Sequence, residues 1–204
     1  GLKKIANKIN NFTNILSTSL EESGYKILNK KYFDTIIFKP KKNWNLKADK
    51  LKFNFREFDN GEIGISLDET TTEKNIEDIL YIFDAKINKK STISIPKKLI
   101  RASKYLTHPT FKKYHSETEL LRYIHRLEVK DLSLNTSMIP LGSCTMKLNA
   151  TTEMEPITWP EYSNIHPFVP HKQTKGYNKL ILELGDWLKT FTGFNDISMQ
   201  PNSG

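Results

Sequence analysis

The chain has 204 residues, 37% of them hydrophobic, and a formal net charge of +8 at pH 7. Its length is sufficient for a buried core in one large or two small domains. It contains no run of eighteen apolar residues that would span a membrane, and its single cysteine excludes an internal disulfide. Its lysines are spread along the chain without an RNA-binding or zinc motif, so the charge alone does not predict nucleic-acid binding.

The first elements in chain order are a helix and a strand. Apolar residues at three- and four-residue spacing predict a helix that ends at Gly24, where glycine favours a left-handed cap. The members of this apolar stripe are Leu2, Ile5, Ile9, Phe12, Leu16 and Leu20. Residues 33–38 then predict a short strand, which Pro40 ends.

A hairpin follows, because residues 52–58 and 62–68 carry alternating apolar residues around an Asp-Asn-Gly turn. Asn60 and Gly61 predict positive φ angles in that turn. Asp68, at the end of the second arm, is interpreted as a capping residue rather than as an acid–base catalyst.

Two further helices are predicted from capping boxes. Thr70 and Glu73 have the required spacing for the first box, and Ser116 and Glu119 for the second. Each box precedes an apolar stripe, with Ile76, Ile79, Leu80 and Phe83 in one helix and Leu120, Leu121, Ile124 and Leu127 in the other. The order helix, strand, hairpin, helix predicts a small α+β layer over the first 85 residues.

Residues 137–168 lack a period of 2 or of 3.6 but hold the only cysteine, several prolines and a histidine. We interpret this stretch as an extended segment whose path is fixed by packing against another body. A helix over residues 176–194, closed by Gly193, comes next. Residues 196–204 predict a strand and a small-residue turn, an arrangement that holds phosphate groups in α/β proteins.

Several of these stretches together resemble one family. Residues 137–168, "QTKGY" and "QPNSG" are similar to the glycine dehydrogenase (decarboxylating) family, the P-protein of the glycine cleavage system. "YHSETELLRYIHRLEVKDLSL" and "FDNGEIGISLDET" share the resemblance. It implies an α/β fold of the pyridoxal-phosphate (PLP) transferase type, fold type I, similar to aspartate aminotransferase. Members of the family consist of two homologous halves, fused or in separate subunits.

The resemblance also implies a domain organisation. Residues 1–85 are expected to be the small C-terminal α+β domain of the first half, and residues 86–130 a linker and helix between halves. Residues 131–204 are expected to be the N-terminal arm and the start of the PLP-binding large domain of the second half. The chain is thus expected to be an internal fragment of a fused, single-chain parent that forms a homodimer.

The activity implied by the resemblance is the decarboxylation of glycine on PLP, with transfer of the aminomethyl group to the lipoyl arm of H-protein. Asn202, Ser203 and Gly204 match the turn that binds the PLP phosphate. The Schiff-base lysine is expected beyond Gly204, so no catalytic residue is assigned and the fragment alone is expected to be inactive. The expected location is the bacterial cytoplasm, because the many Lys, Asn and Ile residues are typical of an AT-rich bacterial genome, or the mitochondrial matrix in a eukaryote. The alternative function is a basic module that binds nucleic acid or protein without catalysis.

Five other residues are expected to line the active site: Ser143, Cys144, Thr145, Lys147 and His166. Lys147 is interpreted as a surface or substrate-facing ammonium rather than as the Schiff-base lysine. Cys144 is either a redox-sensitive thiol beside Lys147 or a small packed residue. His166 either faces the pocket or is hydrogen-bonded to the backbone. No metal site is expected, because the histidines lack ligand spacing.

Overall fold

A computed structural model describes residues 1–89, 95–131 and 150–200 of the chain. The fold mixes helices with a small three-stranded sheet, which is consistent with the α/β class. The chain forms two compact units, residues 1–103 and 104–204, which are described separately below. None of the described helices is both long and apolar enough to cross a membrane.

Helix α1, Leu2–Glu22, is the first element of unit 1 and confirms the predicted helix. Ile9, Leu16 and Leu20 of its stripe are buried and Phe12 is partly buried, whereas Leu2 and Ile5 in the first turns are exposed. Gly24 ends the helix with φ of +83°. The Gly24 N–H donates to Glu21 O and the Tyr25 N–H to Leu20 O, both at 3.0 Å. This pair of bonds is a Schellman motif, which satisfies carbonyls that the helix end leaves open.

The sheet of unit 1 is antiparallel, with the strand order β1-β3-β2. Its strands are β1 Thr35–Phe38, β2 Arg56–Glu57 and β3 Ile63–Ser66. Ile36 pairs with Ile65, and Phe38 with Ile63. All four side chains are buried, as the predicted alternation requires.

The outer edge of β1 is covered by the segment before it. The Asn29 carboxamide donates to Thr35 O and accepts from the Ile37 N–H, both at 2.8 Å. The Leu28 N–H donates to Ile37 O at 2.8 Å. A side chain and one amide thus take the places that a fourth strand would fill.

The hairpin turn differs in detail from the prediction. Only Gly61 has a positive φ, +78°, and Asn60 does not. The Gly61 N–H donates to Phe58 O, and the Phe58 N–H donates to Glu62 O, both at 2.9 Å. These bonds define a three-residue loop with a glycine bulge rather than a two-residue turn. Asn60 instead accepts from the Glu62 N–H through its side chain at 3.1 Å.

Two helices cover the sheet together with α1. Helix α2, Trp44–Leu51, was not predicted, and its ends at Asn43 and Lys52 both have left-handed backbone. Helix α3, Glu73–Ile82, was predicted, and its stripe is buried.

The predicted capping box of α3 is wrong by two residues. The Thr72 hydroxyl accepts from the Asn75 N–H at 3.2 Å, and Asn75 Oδ1 accepts from the Thr72 N–H at 2.9 Å. Thr70 instead bonds Asp68 Oδ1 through both its N–H and its hydroxyl. Asp68 therefore orders the turn before the helix, and Thr72 begins the helix.

Three aromatic rings form the centre of the unit 1 core. Phe38 lies edge-to-face against Phe83 with ring centroids 5.0 Å apart, and Tyr25 lies 5.3 Å from Phe38. Phe38 and Phe83 are almost completely buried. Such edge-to-face pairs stabilise a core beyond the apolar area that they bury.

Unit 2 consists of helices and turns in its described residues. Its helices are α4 Glu117–Glu128, α5 Thr151–Met154, α6 Pro160–Ser163 and α7 Lys175–Thr192. The Ser116 hydroxyl accepts from the Glu119 N–H and confirms the predicted cap of α4. Gly193, with φ of +75°, ends α7 as predicted.

Two predictions for unit 2 are wrong in the described residues. The stretch predicted to be irregular contains short helical turns after Ala150, because Pro156 and Pro160 occupy first-turn positions where no N–H is needed. Residues 196–200 contain no strand. The apolar stripe of α4 is exposed within the described residues, and so are Leu180, Trp187 and Phe191 of α7, with Trp187 62% exposed.

Candidate functional site

Most of the predicted site residues lie outside the part of the chain that the structure describes. These are Ser143, Cys144, Thr145 and Lys147 of the arm, and Asn202, Ser203 and Gly204 of the turn. Their roles stay predictions. His166 is the one predicted site residue with described surroundings, so the segment around it is the part of the site whose geometry is known.

Three aromatic residues fix the chain on either side of His166. The Tyr162 and Tyr177 rings lie 5.7 Å apart in an edge-to-face arrangement, and Trp159 lies 6.0 Å from Tyr162. The Tyr177 hydroxyl donates to Tyr162 O at 2.7 Å. The start of α7 is therefore tied to α6, and the chain between them forms a loop that carries His166.

The hydrogen bond made by His166 assigns its neutral tautomer. The Phe168 N–H donates to His166 Nδ1 at 3.0 Å. A ring nitrogen that accepts a hydrogen bond carries no proton, so in neutral His166 the proton is on Nε2. His166 is exposed, and its Nε2–H is suited to donate to a carboxylate or phosphate oxygen. The bond to the backbone that the sequence suggested is present, and a role at a pocket stays a prediction.

Asp68 is the best-defined carboxylate among the described residues. Hydrogen bonds from the Thr70 hydroxyl and from the Thr71 side chain and backbone lower the pKa of Asp68, against the opposing effect of desolvation. A carboxylate stabilised in its charged form is a poor proton donor. This agrees with a structural role rather than acid–base catalysis. The described residues contain no group of three or more histidine, cysteine or acidic residues that could hold a metal ion.

Sequence reasoning missed a groove in unit 1. It lies along α1 and has a volume of about 910 Å³, with Asn7, Asn10, Asn11 and Asn14 among its lining residues. The available signal was the helical spacing of these asparagines, three or four residues apart. It was overlooked because the same helix carries a stronger apolar stripe.

Comparison with known proteins shows which family the chain resembles. The family model described as glycine cleavage system P-protein matches residues 1–83. Residues 1–83 are therefore similar to the glycine cleavage system P-protein family. The similarity to individual proteins extends further and includes the whole chain.

Three relatives are bacterial proteins named glycine dehydrogenase (decarboxylating). The protein of Thermosynechococcus vestitus is 50% identical over 209 residues, covering all of this chain and 22% of the relative. Those of Shewanella amazonensis and Nostoc sp. are each 48% identical over all of this chain, covering 23% and 22% of the relatives. The chain thus spans less than a quarter of the length of these relatives.

Proposed function

We propose that the chain is part of a glycine dehydrogenase (decarboxylating). The observation that carries this proposal is the 50% identity over the whole chain to a protein of that name. The substrate is then glycine, which loses its carboxyl group, and the acceptor of the aminomethyl group is the lipoyl arm of H-protein. None of these relatives is named for nucleic-acid binding, and nothing in the comparisons supports a binding module without catalysis.

This function requires PLP, which when bound supplies the electron sink for decarboxylation. In the proposal Asn202, Ser203 and Gly204 hold its phosphate through a hydroxyl and backbone N–H groups. In the proposal His166 lines the pocket, which is supported by its exposure and by the Phe168 N–H bond to its Nδ1, since the neutral ring then carries a donor at Nε2. Lys147 is proposed as a substrate-facing ammonium and not as the lysine that binds the cofactor.

The proposed fold is the type I fold of PLP enzymes in a single chain that contains both halves. Residues 1–85 then form the small C-terminal domain of the first half, residues 86–130 the linker and helix, and residues 131–204 the arm and start of the second half. The single-chain form is supported because each relative matches all of this chain within one polypeptide. We further propose a homodimer, located in the bacterial cytoplasm, as suits the bacterial relatives.

The experiment is glycine-dependent exchange of labelled bicarbonate into the carboxyl group of glycine. We expect the full-length protein loaded with PLP to catalyse this exchange in the presence of lipoylated H-protein. H-protein without the lipoyl group is the matched control and should support far less exchange. A folded, PLP-loaded protein without exchange above that control would contradict the proposal.

A further inference from the structure

The groove along α1 has one polar wall, built by carboxamides that bond one another. Asn10 Nδ2 donates to Phe33 O at 2.8 Å, and Asn14 Nδ2 donates to Asn10 Oδ1 at 3.1 Å. Asn14 is only 1% exposed, and its Oδ1 accepts no hydrogen bond from the described residues. Buried acceptors are nearly always paired, so an Asn14 Oδ1 without a donor among the described residues is unusual.

Two more carboxamides on the same side of α1 have no hydrogen bond to the described residues. Asn7 and Asn11 line the groove and are exposed. Each carboxamide offers one acceptor and two donors, which is the chemistry that a peptide bond can pair with on both of its sides. Successive turns of a helix are about 5.4 Å apart, and alternate residues of an extended peptide are about 6.6 Å apart. Carboxamides one helical turn apart can therefore each reach a different peptide group of an extended segment.

The groove is positively charged and partly apolar. Lys31 lines it without an ion pair among the described residues, and Arg101 lines it while donating to Ser103 Oγ at 3.0 Å. No acidic residue is among the lining residues. Leu99 and Ile100, which form part of the facing wall, are 68% and 55% exposed. An occupant that matches these walls carries negative charge, peptide-like polar groups and some apolar surface.

We propose that this groove binds an extended, acidic segment of a partner polypeptide. The exposed carboxamides of Asn7 and Asn11 pair with its backbone. Lys31 and Arg101 attract its carboxylates, and the apolar wall covers its intervening side chains. A compact inorganic anion would use the two cations but leave the carboxamides and the apolar wall without a partner. The groove does not depend on the proposed catalytic function, because none of its lining residues has a proposed role in binding PLP or glycine.

The test uses the 204-residue chain and a fluorescein-labelled peptide of alternating aspartate and valine, with binding measured by fluorescence anisotropy. We expect saturable binding that weakens as salt is added. Peptides that alternate lysine or asparagine with valine are the matched controls and should bind far more weakly. Absence of saturable binding by the aspartate peptide to the folded chain would overturn the inference.

Variants separate the groove from general surface charge. Lys31→Ala removes a groove cation and Asn11→Leu a groove carboxamide, and both residues are exposed, so folding should persist. Each should raise the dissociation constant by about tenfold, as the loss of one hydrogen bond to a charged or polar partner implies. Lys30→Ala, which changes the exposed neighbour outside the groove, should leave binding unchanged. Equal weakening by Lys30→Ala and Lys31→Ala would overturn the inference.

NMR spectra can show where on the chain the peptide binds. Peptide binding should shift the side-chain amide resonances of Asn7, Asn11 and Asn14 in NMR spectra, and those of Asn178 in unit 2 should stay in place. Displacement of the peptide by equimolar inorganic tripolyphosphate would identify a simple anion site and overturn the peptide assignment. Changes in NMR resonances confined to residues outside the groove would also overturn the peptide assignment.

Discussion

Tyr25 and Phe83 are joined by a hydrogen bond between residues 58 positions apart in the chain. The Tyr25 hydroxyl donates to Phe83 O at 2.7 Å, inside the core of unit 1. The carbonyl belongs to the residue that ends α3, and the phenol follows the residue that ends α1. One bond therefore ties the C-terminal ends of two helices together and satisfies a carbonyl that the end of α3 leaves open.

Removing this hydroxyl should destabilise unit 1 while the ring packing is kept. We expect Tyr25→Phe to lower the free energy of unfolding by about 1–3 kcal/mol, because a buried carbonyl loses its donor. Urea denaturation followed by circular dichroism measures the change. Tyr81→Phe is the matched control, since Tyr81 is 56% exposed and its hydroxyl bonds no described residue. An equal effect of both variants would contradict the role of the Tyr25 bond.

The pairing of Thr72 with Asn75 makes the position of the α3 cap testable. Thr72→Ala should lower the free energy of unfolding by about 0.5–2 kcal/mol, as loss of a capping hydroxyl typically does. Glu73→Gln should change it by a few tenths of a kcal/mol at most, because the only loss is a charge near the helix N-terminus. The same urea titration compares the two variants. A larger effect of Glu73→Gln than of Thr72→Ala would contradict the cap at Thr72.

The lowered pKa of Asp68 predicts acid sensitivity. Since its folded pKa lies below the unfolded value of about 3.8, ionised Asp68 stabilises the fold above that pH. The stabilisation is lost as the pH falls through the folded pKa. Unfolding free energies of the chain and of Asp68→Asn should therefore differ most near neutral pH and converge in acid. Asp59→Asn, which changes a carboxylate in the exposed hairpin turn, serves as the control. If the difference in unfolding free energy between the unaltered chain and Asp68→Asn did not vary with pH, the prediction would be contradicted.

Ser203→Ala in the full-length protein tests the proposed phosphate turn. A hydrogen bond to a charged group stabilises by about 1.5–3 kcal/mol, so the PLP dissociation constant should rise by about ten- to a hundredfold. Equilibrium dialysis of PLP measures this without reference to activity, and thermal denaturation checks the fold. Ser198→Ala changes a nearby exposed serine and should leave PLP affinity unchanged. Unaltered PLP affinity in Ser203→Ala would mean that the phosphate is held elsewhere.

The spacing of apolar residues in the sequence predicted much of unit 1, because the apolar residues at these spacings are the ones that are buried there. The stripe of α3 and the alternation of β3 both lie in the core. Helix α2 escaped prediction because it has only eight residues, and its short apolar stripe of Trp44, Ala48 and Leu51 gives a weak periodic signal. The cap of α3 was misplaced because Thr70, Thr71 and Thr72 are adjacent, and only the reciprocal bond to Asn75 distinguishes the last of them.

The candidate site was less predictable than the fold. Its residues were assigned by resemblance, and of these His166 alone has described surroundings. The tautomer of His166 depends on a bond to the Phe168 backbone, which no spacing rule reports. The asparagine groove depends on the packing of residues 31–33 and 95–101 beside α1, a relationship between distant segments that local sequence does not encode.

The carboxamide of Asn29 has a consequence for self-association. An uncovered strand edge is a template on which a second chain can add a strand and begin ordered aggregation. With Thr35 O and the Ile37 N–H both bonded to Asn29, and Ile37 O to the Leu28 N–H, β1 offers these groups to no incoming strand. One side chain and one backbone amide thereby protect an apolar strand, Thr-Ile-Ile-Phe, whose composition favours amyloid-like stacking.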